Sequence, residues 1–253
     1  MSRIAVLCGT GMINLAEIAG EEKNSEVTEV KVQTKWGKVP VKIIQNLDGK
    51  IFFIDRHHLD KKSRNPPHMI EHRSNVFAAS SCNPDLIISI NSVGSLISEL
   101  PPGRIGIIDD IIDLTQTPWT FHDSNAIHSD RTSHFNLKYN QKCSSILNKI
   151  QGHCLNNLVI AQCVGPQYES PAEIDVLGKL GANVVGMTLG PESRLISETE
   201  FPHIALACSS NWAAGRSPKG RKETINHNEI NETAEIMRDA ILKCIFFLQS
   251  NIE

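Results

Sequence analysis

The chain has no run of about 18 apolar residues, so no membrane-spanning helix is predicted. It has no long stripe of lysine and arginine, and its formal net charge is −3, which excludes the footprint of a nucleic-acid binder. The seven cysteines, at positions 8, 82, 143, 154, 163, 208 and 244, contain no CxxC pair. That argues against a zinc knuckle or a disulfide framework. Scattered thiols of this kind read as small buried hydrophobes in a reducing compartment. No signal-peptide pattern precedes the first strand, so a cytoplasmic location is expected. No Pro/Ser/Gly-rich linker, internal repeat or low-complexity tract breaks the 253 residues, and a single domain over 1–253 is expected. One short basic run, Lys61, Lys62 and Arg64, reads as a solvated loop.

The chain does hold an alternation of apolar runs and helical patterns. Strands are predicted over 3–8, 41–45, 51–55, 85–90, 104–114, 157–163, 183–186 and 203–208. Helices are predicted over 67–79, 137–150, 171–180, from 191, and over 228–249. Residues 115–137 lack periodicity and read as a long functional loop. Strands alternating with helices give a three-layer α/β/α sandwich around a central mostly parallel, mixed sheet. In such sheets ligands sit at the carboxyl ends of strands.

Several strand ends carry polar chemistry. Gly9-Thr10-Gly11 follows the first strand; it reads either as a tight turn or as backbone amides and a hydroxyl that approach an anion. Arg56, with His57, ends the run IFFID and suits a bidentate phosphate contact, or else a surface salt bridge. Asn91 to Ser95 offers backbone N–H groups or a plain turn. Glu169 and Asn211 form the sharpest pair. An amide can hold the N7/O6 edge of a 6-oxopurine, and a carboxylate can accept from its N1–H. Their plainer readings are a helix N-terminal acid and a turn former. Met187 reads as core filler and Thr188 as a structural strand-end residue.

Taken together, these segments resemble the trimeric purine nucleoside phosphorylase and methylthioadenosine phosphorylase family. The resemblance runs from about Ile4 to Ile245. It is carried by GPQYESPAEIDVLGKLGANVVGMT, SSNWAAG, SINSVGSL and PPGRIGIIDDIIDLT. It implies the nucleoside phosphorylase fold and phosphorolysis of a purine nucleoside to free base and ribose 1-phosphate or its 5-methylthio form. Inorganic phosphate is then a co-substrate, and no metal or organic cofactor is implied. Phosphate would sit among Thr10, Arg56, His57, Ser92 and Thr188. The base would meet Glu169 and Asn211, with Tyr168 against its face and Val93 and Gly94 behind it. The pentose would lie on Met187, and His227 would meet its 5′-hydroxyl. His134 resembles the residue that reaches into a neighbouring subunit's site, which implies a homotrimer.

Family members that cleave 6-aminopurines resemble one another in carrying Asp at position 211 and a small hydroxyl residue at 169. Asn211 and Glu169 therefore point to methylthioinosine, inosine or guanosine. Polar mismatches in such sites discriminate by roughly 10⁴-fold. The chain is closest in look to bacterial methylthioinosine phosphorylases. The alternative within the class is S-methyl-5′-thioadenosine phosphorylase. Cys8, His58 and His72 depart from the family pattern, and His58 in place of glycine would strain the backbone if φ there were positive. These departures support a second alternative, a catalytically weakened purine-binding homologue.

Overall fold

The computed structural model describes residues 1–60 and 63–252. The chain opens with β1 (Ser2–Cys8) and α1 (Leu15–Lys23). The meander β2 (Val27–Thr34), β3 (Gly37–Gln45) and β4 (Gly49–Asp55) follows, then a small hairpin, β5 (His58–Asp60) and β6 (Ser63–Arg64). Next come α2 (His72–Ser81), β7 (Leu86–Ser95), β8 (Ile105–Asp113) and α3 (Leu137–Gln151). The last third runs β9 (Leu158–Gln162), α4 (Pro171–Lys179), β10 (Val184–Gly186), α5 (Leu189–Ile196), β11 (His203–Trp212), α6 (His227–Ile236) and α7 (Arg238–Gln249).

Nine strands form one sheet in the order β10-β9-β8-β11-β7-β1-β4-β3-β2. β1, β4, β7 and β11 run parallel, so their carboxyl ends share one edge. β10 also pairs with β7, Val184 opposite Ser95, so β7, β11, β8, β9 and β10 close on one another. Successive strands of the meander are antiparallel to one another, and β8 runs antiparallel to β11, which makes the sheet mixed.

Apolar runs alternate between two cores even where every residue is hydrophobic. Ile4 and Val6 face α1, α3 and α7, while Ala5 and Leu7 face α2 and α5. A strand covered on both faces needs this continuous hydrophobicity. Helices on both faces of the sheet make the three-layer α/β/α sandwich.

Several boundaries differ from the sequence reading. The stretch 67–79 splits into a short 3₁₀ turn, Pro67–Met69, and α2, because Ile70 and Glu71 leave helical geometry. The Glu71 carboxylate then caps α2 by accepting from the Arg73 amide at 3.1 Å. The strand from 85 runs on through Ser95, since β11 and β10 flank residues that read as a turn. The C-terminal helix breaks at Met237 into α6 and α7. α1 and β2 were not anticipated.

Candidate active site

A cavity of about 510 Å³ opens at the shared carboxyl edge of the strands. Eleven of the thirteen residues singled out in the sequence line it: Thr10, Arg56, His57, Ser92, Val93, Gly94, Tyr168, Glu169, Met187, Thr188 and Asn211. They arrive from the ends of β1, β4, β7, β10 and β11 and from the loop after β9. His134 stands outside this cavity. Its Nδ1 pairs with the Arg131 carbonyl at 2.9 Å, and it borders a separate cleft of about 290 Å³. His227 opens α6, but its side chain lies outside the described residues. Lys61 and Lys62 also lie outside them, whereas Arg64 lines the cavity and is paired with Asp55 at 2.7 Å.

Local chemistry explains why several side chains are free to face the cavity. The N-cap of α4 is Ser170, and Glu173 reaches back to the Ser170 amide at 2.7 Å. That capping box leaves Glu169 unneeded at the helix end. Thr188 occupies the N-cap position of α5 without a capping bond, and its hydroxyl reaches Asn91 Oδ1 at 3.5 Å. Asn211 belongs to β11 and is no turn former. Gly165, with φ of 69°, lies against Met187; a Cβ there would come within 2.5 Å of Met187 Sδ.

Arg56, read as either a bidentate phosphate contact or a surface salt bridge, forms an ion pair, and a buried one. Its Nε and Nη2 grip the two Glu192 oxygens at 2.6 and 3.1 Å. Nη1 donates to the Ile90 carbonyl at 2.8 Å and Nη2 to the Leu7 carbonyl at 2.9 Å. Among the described residues, these contacts leave over one of its five N–H donors, on Nη1. The pair is buried, with Arg56 2% and Glu192 0% exposed. Behind it, Ser89 donates to Glu192 Oε2 at 3.0 Å and meets His203 Nε2 at 3.0 Å. Glu192, Ser89 and His203 were missed in the sequence because each reads as scaffold there.

Burial lowers the His57 pKa to about 4. Its neutral ring donates from Nδ1 to the Asn65 carbonyl at 2.8 Å, leaving Nε2 as an acceptor. Burial pushes the Glu169 carboxyl up, against its hydrogen bond from the Cys163 thiol. That thiol is itself pushed up to about 12, by burial first and then by Glu169.

The three departures from the family pattern do not line the cavity. Cys8 contacts the Ile54 carbonyl at 3.5 Å. His58 is not a positive-φ residue, so that strain does not arise, and its Nε2 pairs with Asn75 Oδ1 at 2.8 Å. His72 is buried edge-on against Trp119. Further residues the sequence reading missed, Ser210, Ile225 and Ile230, line the cavity. Among the described residues no group of three His, Cys, Asp or Glu could hold a metal ion. None of the described helices is long and apolar enough to cross a membrane.

A strand-end cavity of this make-up, on this sheet, defines a class: the chain belongs to the phosphorylase superfamily, whose pattern it matches over residues 3–246. It is 32% identical to the probable 6-oxopurine nucleoside phosphorylase of Thermococcus kodakarensis, over 92% of this chain and 86% of that protein. It is 33% identical to the probable S-methyl-5′-thioinosine phosphorylase of Methanothermobacter thermautotrophicus, over 85% and 73%. The fold matches that of methylthioadenosine phosphorylase from Schistosoma mansoni in complex with adenine. The TM-score is 0.82 at 19% identity, covering 98% of this chain and 92% of that one.

Proposed function

We propose that this chain is a purine nucleoside phosphorylase that prefers 6-oxopurines and transfers the pentose to inorganic phosphate. The observation that carries the reading is the convergence of Glu169 and Asn211 on the same cavity as Thr10, Arg56, Ser92 and Thr188. The first pair suits the N1–H and N7/O6 edge of hypoxanthine or guanine, and the second set suits an oxyanion. The relatives named as 6-oxopurine nucleoside and methylthioinosine phosphorylases support this choice.

Phosphate is already anionic, so no base is needed to create the nucleophile. Hydroxyls and the remaining Arg56 N–H hold it under the anomeric carbon, which is catalysis by proximity. His57 Nε2, an acceptor, suits the O–H of hydrogen phosphate. As the glycosidic bond breaks, charge grows on the purine ring and Asn211 stabilises it. Glu169 orients the base, Tyr168 covers its face, Val93 and Gly94 back it, and Met187 supports the pentose. No metal or organic cofactor is required. Ile225 and Ile230 offer an apolar wall suited to a 5′-methylthio group, and His227 suits a 5′-hydroxyl. His134, set outside its own chain's cavity, fits a homotrimer in which it serves a neighbour. Seven free thiols fit a cytoplasmic protein.

The test is base release from inosine, guanosine, methylthioinosine, adenosine and methylthioadenosine, with and without phosphate. Phosphate-dependent release of hypoxanthine or guanine, faster than adenine, is expected, and Asn211→Asp should raise the adenine rate. No release from any nucleoside, or a wild-type preference for methylthioadenosine, overturns the reading.

A further inference from the structure

The strand that delivers Asn211 is irregular at one residue. The register of β11 against β7 slips between Ser209 and Asn211, leaving Ser210 as the extra residue of a bulge. In a regular strand successive side chains leave opposite faces. Bulges re-aim side chains, and here Ser210 and Asn211 both line the cavity. Ser209 instead donates to the Leu100 carbonyl at 3.1 Å.

The bulge builds a directed hydrogen-bond chain. The Ser92 hydroxyl donates to Ser210 Oγ at 2.7 Å. The buried Ser210 hydroxyl reaches Asn211 Oδ1 at 3.0 Å and the Val93 carbonyl at 3.3 Å. At the other end of the amide, Asn211 Nδ2 donates to the Trp212 carbonyl at 2.8 Å. An amide has a donor end and an acceptor end. A half-turn of this one would set Oδ1 against the Trp212 oxygen, so the two contacts together admit one orientation. Among the described residues, one N–H and one oxygen lone pair of Asn211 remain for a ligand.

We propose that Ser210 is a positioning residue that locks the Asn211 amide for a 6-oxopurine and ties it, through Ser92, to the phosphate seat. This rests on the functional reading above and deepens it. Ser92 holds a single hydroxyl proton, which both phosphate and Ser210 draw on, so the two halves of the site share one donor.

The test uses Ser210→Ala, Ser210→Thr, Ser92→Ala and the Ser92→Ala/Ser210→Ala pair. Steady-state kinetics with inosine and phosphate are read beside calorimetric binding of hypoxanthine. Ser210→Ala should lower kcat and hypoxanthine affinity about tenfold each, the scale of one lost buried hydrogen bond. Ser210→Thr keeps the hydroxyl and should restore most of both. The paired variant should lose less than the product of the single losses, the mark of coupled groups. Wild-type kcat and affinity in Ser210→Ala, no rescue by threonine, or multiplicative losses would each overturn the proposal. Hypoxanthine binding that depends on Ser210 in a protein without turnover defeats the functional reading alone. Turnover that ignores Ser210 defeats this proposal alone, and absence of hypoxanthine binding defeats both.

Discussion

At the residue scale, the Arg56–Glu192 pair decides how much positive charge phosphate meets. Two buried opposite charges offset each other's desolvation only while both are present. Glu192→Gln leaves the Arg56 cation buried without its counter-charge and is expected to destabilise the fold by about 3–5 kcal/mol. Denaturant unfolding at fixed pH measures it, and a wild-type midpoint would show that the pair contributes nothing. The partners also mark the boundary of what the sequence discloses. Arg56 was visible because it follows a buried strand, where parallel sheets present ligand groups. Glu192 was not, since it lies 136 positions further on, inside an ordinary helical segment. Long-range pairing of this kind leaves no local pattern, so the sequence leaves phosphate fork and salt bridge open at Arg56 and does not disclose the buried carboxylate partner.

At the scale of elements, Gly11 is where β1's loop meets α6. It holds φ at 78°, and a Cβ there would fall 2.1 Å from the Ala234 Cβ. Gly11→Ala must therefore either strain the loop or push α6 outward, and α6 carries Ile230 into the cavity wall. A stability loss of about 1–3 kcal/mol is expected from such overpacking, with a raised nucleoside KM. Thermal unfolding and steady-state kinetics check the two parts. An unchanged KM would separate α6 from substrate binding. The same elements show why some boundaries were legible and others not. β1, β7 and β11 are buried on both faces and write continuous apolar runs. β2 is a largely exposed edge strand, and α1 buries only Leu15, Ala16, Ala19 and Gly20, so neither writes a strong signal. The break at Met237 was hidden because the apolar spacing continues from α6 into α7, with Ala234, Met237 and Ile241 all buried in one core.

At the scale of the whole molecule, burial of neutral histidines ties stability to pH. Burial lowers the pKa of His57 to about 4, and of His72 and His203 to about 3. In the unfolded chain each titrates near the ordinary value of about 6.5. As pH falls below that value the unfolded state takes up protons that the folded state refuses. The stabilisation is thus complete above about pH 6.5 and is lost toward about pH 4 for His57 and about pH 3 for the other two. Within that window each histidine costs about 1.4 kcal/mol per pH unit. His134, also lowered by burial, adds in the same sense, while Glu169, raised by burial, opposes it. With the lowered histidines outnumbering that one carboxyl, the net slope is expected to be steep. Scanning calorimetry should give a flat midpoint from pH 8 to 7 and a sharp fall below about pH 6, less sharp in His72→Leu by one histidine's share. A midpoint that holds level down to pH 4.5 would mean that these rings are charged or solvated in the fold, and the neutral acceptor assigned to His57 in the phosphate seat would fall with it.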